Sequence, residues 1–157
     1  LSKRLIVLLA GIVATAAVLA GCGSSDDNSD TTATALTKQE LIKQGDAICK
    51  QGNRAIEKEA KEFAEDNDVD TGNPTKAQQE EVIVEVVAPG VRQQVEEIGE
   101  LSAPSDDESE IEAMVAAVEA ATDELESDPA KLIEGKNPLE KGSHLAVSYG
   151  FSECGEE

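Results

Sequence analysis

The chain has 157 residues, enough for one domain and a targeting segment, with 13 Lys+Arg against 33 Asp+Glu and a net charge of −20. So acidic a chain is repelled by nucleic acid and by anionic lipid surfaces, and nucleic acid is excluded as a partner. There is no Trp, the aromatics are Phe63, Tyr149 and Phe151, and His144 is the one histidine; this leaves almost no platform for a sugar or base, no all-histidine metal site and one candidate for a Ser-His-Asp triad.

Lys3-Arg4 is followed by an apolar run from Leu5 to Leu19, broken only by Gly11 and Thr15. A run of about 15 residues is shorter than the roughly 20 that span a bilayer, so a membrane-spanning anchor is the weaker reading. Leu19-Ala20-Gly21-Cys22 closes the run. An aliphatic residue, two small residues and a Cys resemble the lipobox of bacterial lipoproteins. The resemblance implies that residues 1–21 are a signal peptide and that the Cys22 thiolate takes a diacylglyceryl group. It also implies a chain held on the outer side of the cell membrane by fatty acyl chains such as palmitate. Two such chains anchor stably where one is marginal, at about 0.8 kcal/mol per buried CH₂. Residues 1–21 hold two bases and no acid, so the rest of the chain sets 11 bases against 33 acids, a net −22.

Residues 22–36 read as the lipidated Cys and a tether. Gly23 to Ala35 is rich in Ser, Thr and Asp with no large apolar residue, the composition of a disordered coil spanning roughly 20 Å.

Residues 37–157 read as an all-α exported domain. Thr37-Lys38-Gln39-Glu40 is a capping box that opens a first helix running to about Ala64. Leu41, Gly45, Ile48, Gly52, Ala55, Ile56 and Phe63 share one face of it. Two glycines on that face predict close helix–helix approach, and Glu59 in the same sector reads as a snorkelling side chain. An acidic loop follows at 65–74.

A second helix begins near Asn73-Pro74-Thr75. Its apolar stripe passes from Val82, Ile83, Val86 and Val87 to Val91, Val95 and Ile98, with Val84 outside it. The stripe turns by roughly a third of a circle between the two sets, which predicts a kink or restart at Pro89-Gly90. Ser105-Asp106-Asp107-Glu108 reads as another capping box. It precedes a cleanly amphipathic helix with Ile111, Met114, Val115, Val118, Ala121 and Leu125. Thr122 shares that face, its hydroxyl free to bond a carbonyl one turn back.

Asp128-Pro129 and Asn137-Pro138 are cap-plus-proline starts. The last helix carries Leu139, Gly142, Leu145, Ala146 and Tyr149 on one face and ends at Gly150. Three or four antiparallel helices with a kinked second member is the packing these segments predict.

With Cys22 committed to lipid, Cys49 and Cys154 remain as an even pair in an oxidising compartment. A disulfide between them closes a long loop and stabilises a domain poor in large side chains by about 4.7 kcal/mol in the chain-entropy model. The alternative, free thiols or a redox pair, lacks the CxxC spacing. Asp46-Ala47-Ile48-Cys49, Tyr149-Gly150-Phe151 and Cys154-Gly155 together resemble a group of uncharacterised small helical exported lipoproteins of actinobacteria. That resemblance implies helical character and a helix-to-C-terminus disulfide, and brings no activity with it.

Asp66, Asp68 and Asp70 are spaced as in a calcium loop, but Thr71 stands where a Gly is needed and Ala77 where a bidentate acid is needed, so a solvated acidic turn is expected. Met114 and His144 as axial haem ligands are disfavoured by helical phase, with Met114 on a core face and His144 opposite one. Lys43, Lys50, Arg54 and Lys61 form a basic stripe on the first helix, with Asp46–Lys50 and Glu57–Lys61 at ion-pair spacing. Residues 105–128 hold ten acids and no base. A basic or oppositely charged protein partner docking on Glu112, Glu119 and Glu126 follows as an expectation.

No GxSxG or SxxK motif gives a serine context. No catalytic residue, cofactor or metal is assigned. The expected function is a membrane-anchored, non-catalytic helical binding or structural module. The alternatives are a carboxylate-based enzyme dependent on a divalent ion and a sensor ectodomain for a membrane partner.

Overall fold

The computed structural model describes residues 35–155; the leader, Cys22 and the tether through residue 34 lie outside the described residues. The described chain is helical: α1 Lys38–Asp66, α2 Lys76–Val82, a π-helical turn Ile83–Val87, α3 Ala88–Gly99, α4 Glu108–Ser127, α5 Ala130–Ile133 and α6 Glu140–Tyr149. Among the described residues there is no strand, and no helix is long and apolar enough to cross a membrane.

α1 starts at the expected capping box. The Thr37 N–H donates to Glu40 Oε2 at 2.9 Å and the Glu40 N–H to Thr37 Oγ1 at 3.3 Å. A second box, unread in the sequence, opens α2: the Thr75 N–H donates to Gln78 Oε1 at 2.9 Å and the Gln78 N–H to Thr75 Oγ1 at 3.3 Å. On the apolar face of α1, Leu41, Gly45, Cys49 and Ala64 are buried, while Ala55 and Glu59 are exposed.

The change of stripe in the second helical segment precedes Pro89 instead of falling on it. Proline lacks an N–H and its ring collides with the carbonyl four residues back. The chain widens before that collision, with the Ala88 N–H donating to Ile83 O, five residues back. One extra residue in a turn rotates everything after it by about 100°, which is the observed change of phase. Helix therefore continues from Lys76 to Gly99 without a restart. Ile83 and Val86 before the proline, and Val95 and Ile98 after it, all reach the core.

The expected capping box at Ser105 does not form. Asp107 is the N-cap of α4 without a side-chain cap bond, and its carboxylate Oδ2 accepts the Tyr149 hydroxyl at 2.8 Å. Backbone bonds from Asp107 and Glu108 to Pro104 O close the turn. Thr122, fully buried, donates to Glu119 O at 2.8 Å, as its position on the apolar face requires. Asn137 Oδ1 accepts the Leu139 N–H at 3.0 Å and α6 begins one residue later. Asp128 lends no comparable side-chain cap; Pro129 itself is the N-cap of the short α5. Gly150 ends α6 with φ of 124°, a conformation that glycine adopts without a Cβ penalty.

Consecutive long segments run antiparallel. The Leu36 N–H bonds Ser102 O, which places the start of α1, the end of α3, the start of α4 and the end of α6 at one end, where the tether joins. α1 packs on α3, α3 on α4 and α4 on α6, while α1 and α6 make no comparably close approach. The bundle is thus four-membered with one open seam. Its core falls into two clusters. The tether-end cluster holds Leu41, Cys49, Ile98, Ile111, Met114, Ala146, Tyr149 and Phe151; the distal one holds Ile83, Ala88 and Leu125.

Candidate functional site

The chain after Gly150 is a strap that bridges the α1–α6 seam. A disulfide joins Cys49 of α1 to Cys154 of the strap. Phe151, 1% exposed, packs on Gly45, where a methyl group would overlap its ring. Gly45 therefore receives the strap and not a helix. Asp46, expected to pair with Lys50 along α1, instead accepts the Ser152 N–H (2.8 Å), the Ser152 hydroxyl (2.9 Å) and the Glu153 N–H (2.9 Å). Lys50 reaches across to Glu153 at 3.1 Å. Covalent, apolar and charge-assisted contacts so hold the strap to one side of α1.

Beside the strap, Tyr149 ties α6 to the start of α4 through Asp107, and the Lys38 ammonium lies 3.9 Å from the centre of its ring. Burial, then the hydrogen bond to Asp107 and the negative charges of Asp107 and Glu110, raise the phenol's pKa well above its ordinary value. The folded state keeps this proton where the unfolded chain releases it. Stability from this group is therefore full below about pH 10 and declines as pH rises beyond. Tyr149 is the only tyrosine, so ultraviolet absorbance reads it alone. No phenolate signal is expected at pH 10.5 before unfolding; half-ionisation near pH 10 in the folded protein would contradict the contact.

Below the strap, between the two core clusters, a cleft of about 140 Å³ enters the bundle. The disulfide and Asn53 form one side of it. Val91, Gln94, Val95 and Ile98 of α3, and Met114 and Val118 of α4, form the back. Gly142, Ser143 and Ala146 of α6 complete it. Asn53 is exposed and Ser143 half-buried, which sets the mouth at the α1–α6 seam. No lining residue carries an ionisable side chain, the two cysteines being bonded to each other.

Gln94 is the one anomaly in this wall. It is 9% exposed, and its Nε2 has no hydrogen-bond partner among the described residues. Leaving a buried donor unpaired costs about 1–3 kcal/mol. Gly52 makes room for it, since a methyl group there would overlap the Gln94 side chain. This glycine was legible as a close-approach position; the amide it accommodates was not, because a Gln between Gln93 and Val95 carries no local signal of burial.

The residues singled out in the sequence are otherwise dispersed. Asp66, Asp68 and Asp70 are exposed. Asp70 accepts the Gly72 N–H at 3.0 Å, and Asp68 has φ of 51°. Among the described residues no group of three or more His, Cys, Asp or Glu is placed to hold a metal ion. Met114 is 3% exposed in the core and His144 is at the surface, so no pair of axial ligands forms. Glu57–Lys61 is not an ion pair among the described residues, and Lys58–Glu62 forms at 3.0 Å instead. On α4, Arg92 holds Asp123 at 2.8 Å and Glu126 at 3.0 Å, and Lys131 holds Glu124 at 2.6 Å. Glu112, Glu119 and Glu126 are all exposed, and Glu126 in addition ties α4 to α3 through Arg92. No family model, curated protein or solved structure matches the chain.

Proposed function

We propose that this chain is the precursor of a lipoprotein anchored by acyl chains on Cys22 to the outer side of the cell membrane. Its helical domain is a non-catalytic binding module whose site is the cleft at the α1–α6 seam. The observation that carries this reading is the lining: a largely apolar wall from four helices and a disulfide, open at one seam and without an acid or a base. Apolar clefts with a few placed polar groups are the ordinary form of a small-ligand site. A carboxylate enzyme needs two or more acids converging in such a place, whereas the buried polar side chains here are Gln94 and Thr122.

Thermal unfolding of the full chain with and without toluene tests the site. A ligand at a hundredfold its Kd stabilises the folded state by about 2.7 kcal/mol, so the Tm is expected to rise by several degrees. An unchanged Tm, together with an unmoved methyl resonance of Met114, would remove the cleft as a binding site. The anchor is tested separately. Cys22→Ser is expected to shift the chain from the membrane fraction to the soluble fraction, and wild-type protein whose intact mass shows a free Cys22 and a retained leader would refute it.

A further inference from the structure

We infer that the domain assembles side by side with further copies of itself, the basic outer face of α1 on one copy seating against the acidic outer face of α4 on the next. The two faces match in spacing. On α1, Lys43, Ala47, Lys50 and Arg54 follow one another at steps of four, three and four residues, and all are exposed. On α4, Glu112, Ala116, Glu119 and Asp123 repeat the same steps, and all are exposed. The steps span about three helical turns, so each stripe runs nearly straight along its helix. Laid against each other in the same direction, the stripes pair Lys43 with Glu112, Lys50 with Glu119 and Arg54 with Asp123. Ala47 and Ala116 meet between the first two pairs and leave room for the helices to come close.

The bundle already holds the stripes level. Tyr149 touches both helices: the Lys38 ammonium lies 3.9 Å from its ring centre, and Asp107 accepts its hydroxyl at 2.8 Å. Lys43 stands five residues beyond Lys38, and Glu112 five residues beyond Asp107. α1 and α4 both run away from this end, with α3 packed against each. Each stripe lies opposite its helix's buried residues, Leu41, Gly45 and Cys49 on α1 and Ile111, Met114 and Leu125 on α4, so the two stripes look outward on different sides of the bundle. A copy shifted sideways without rotation therefore meets its neighbour in register, and repetition of this heterologous contact gives an open row. A two-fold pair would instead set α1 on α1 or α4 on α4, like charge on like. Lys43, Arg54, Glu112 and Glu119 hold no ion pair among the described residues, while Lys50 has Glu153 and Asp123 has Arg92. Whole copies repel at a net −20, but that repulsion is screened beyond about 8 Å at physiological ionic strength, and paired side chains meet inside this length. Exposed pairs are individually weak, so the row forms where copies are concentrated, as an acyl anchor concentrates them. For that concentration alone the inference rests on the anchor proposed above.

Ala47→Cys and Ala116→Cys placed in one full chain, oxidised at millimolar concentration, test the contact without calling on the anchor. The two positions look outward from different sides of one copy, so a bond between them joins two copies. A ladder of dimers, trimers and larger species is expected, with the 47–116 linkage identified by mass spectrometry, and neither single variant is expected to crosslink more than wild type. Adding Glu112→Lys is expected to lower the yield about fivefold, the scale of one exposed charge pair. Adding Lys43→Glu to that variant is expected to restore it. The contact falls if the double variant gives no ladder, if a single variant forms 47–47 or 116–116 dimers as readily, or if Glu112→Lys leaves the yield unchanged. A loss that Lys43→Glu does not restore overturns the register. In whole cells, a different protein captured at residue 116 in place of a second copy assigns the face to that partner and overturns the self-contact.

Discussion

Replacing Cys49 and Cys154 together by alanine is expected to cost about 4.7 kcal/mol of stability, the figure for closing a loop of about 100 residues in the unfolded chain. The bond links positions 105 apart, so nearly the whole described domain lies within the closed loop. A domain of this size is stable by about 5–15 kcal/mol in total. With a urea dependence of about 1–3 kcal/mol/M, the midpoint should fall by roughly 2 M. The strap keeps Asp46 and Phe151 as anchors when the sulfurs are gone. The bundle is therefore expected to remain folded in dilute buffer and to retain its helical circular dichroism. A loss below about 1 kcal/mol would mean that the unfolded chain is already compact enough for the bond to add little.

Phe151→Ala is expected to destabilise the domain by about 3–5 kcal/mol, the range for truncating a fully buried aromatic side chain. Phe151 is 1% exposed, seated on Gly45 and 5.2 Å from the Tyr149 ring centre. Gly45 provides the control. In the wild type, Gly45→Ala drives a methyl group into the Phe151 ring and is expected to cost about 1–3 kcal/mol. In the Phe151→Ala background that collision is gone, and the better helix propensity of alanine should turn the same change into a gain of up to about 1 kcal/mol. The sign reversal is measured by urea denaturation of the four proteins of the cycle. A Gly45→Ala effect of the same sign and size in both backgrounds would show that the ring and the glycine are not coupled.

The helices were legible because their signals are local. Thr37 and Glu40 cap α1 with side chains three residues apart, and the apolar positions of α4 repeat on the helical period, so Ile111, Met114, Ala121 and Leu125 reach the core as the pattern implies. Thr122 and Gly150 were readable for the same reason. The residues that misled are those whose best partner is distant in sequence. Asp46 has Lys50 at the spacing of a helical ion pair, but Ser152 and Glu153 offer it two backbone donors and a hydroxyl. Asp107 sits in a capping motif, but Tyr149 brings it a hydroxyl from 42 residues away. For Asp46, directed hydrogen bonds to the carboxylate outweigh an exposed pair that is worth a few tenths of a kcal/mol.

By itself the sequence determined the helical class, the N-terminal cap of α1 and the apolar faces, since periodicity and capping need no knowledge of distant neighbours, and the Cys49–Cys154 bond expected from reading Cys22 as lipidated is present. Only the tertiary structure decided that α1 and α6 stand apart, that a strap crosses the gap, and that a cleft lies beneath it while the Gln94 amide is buried against Gly52. The physical reason is that a seam is a property of two surfaces. Each helix carries an adequate apolar face alone, and whether two such faces meet depends on how the remaining helices and the disulfide already hold them.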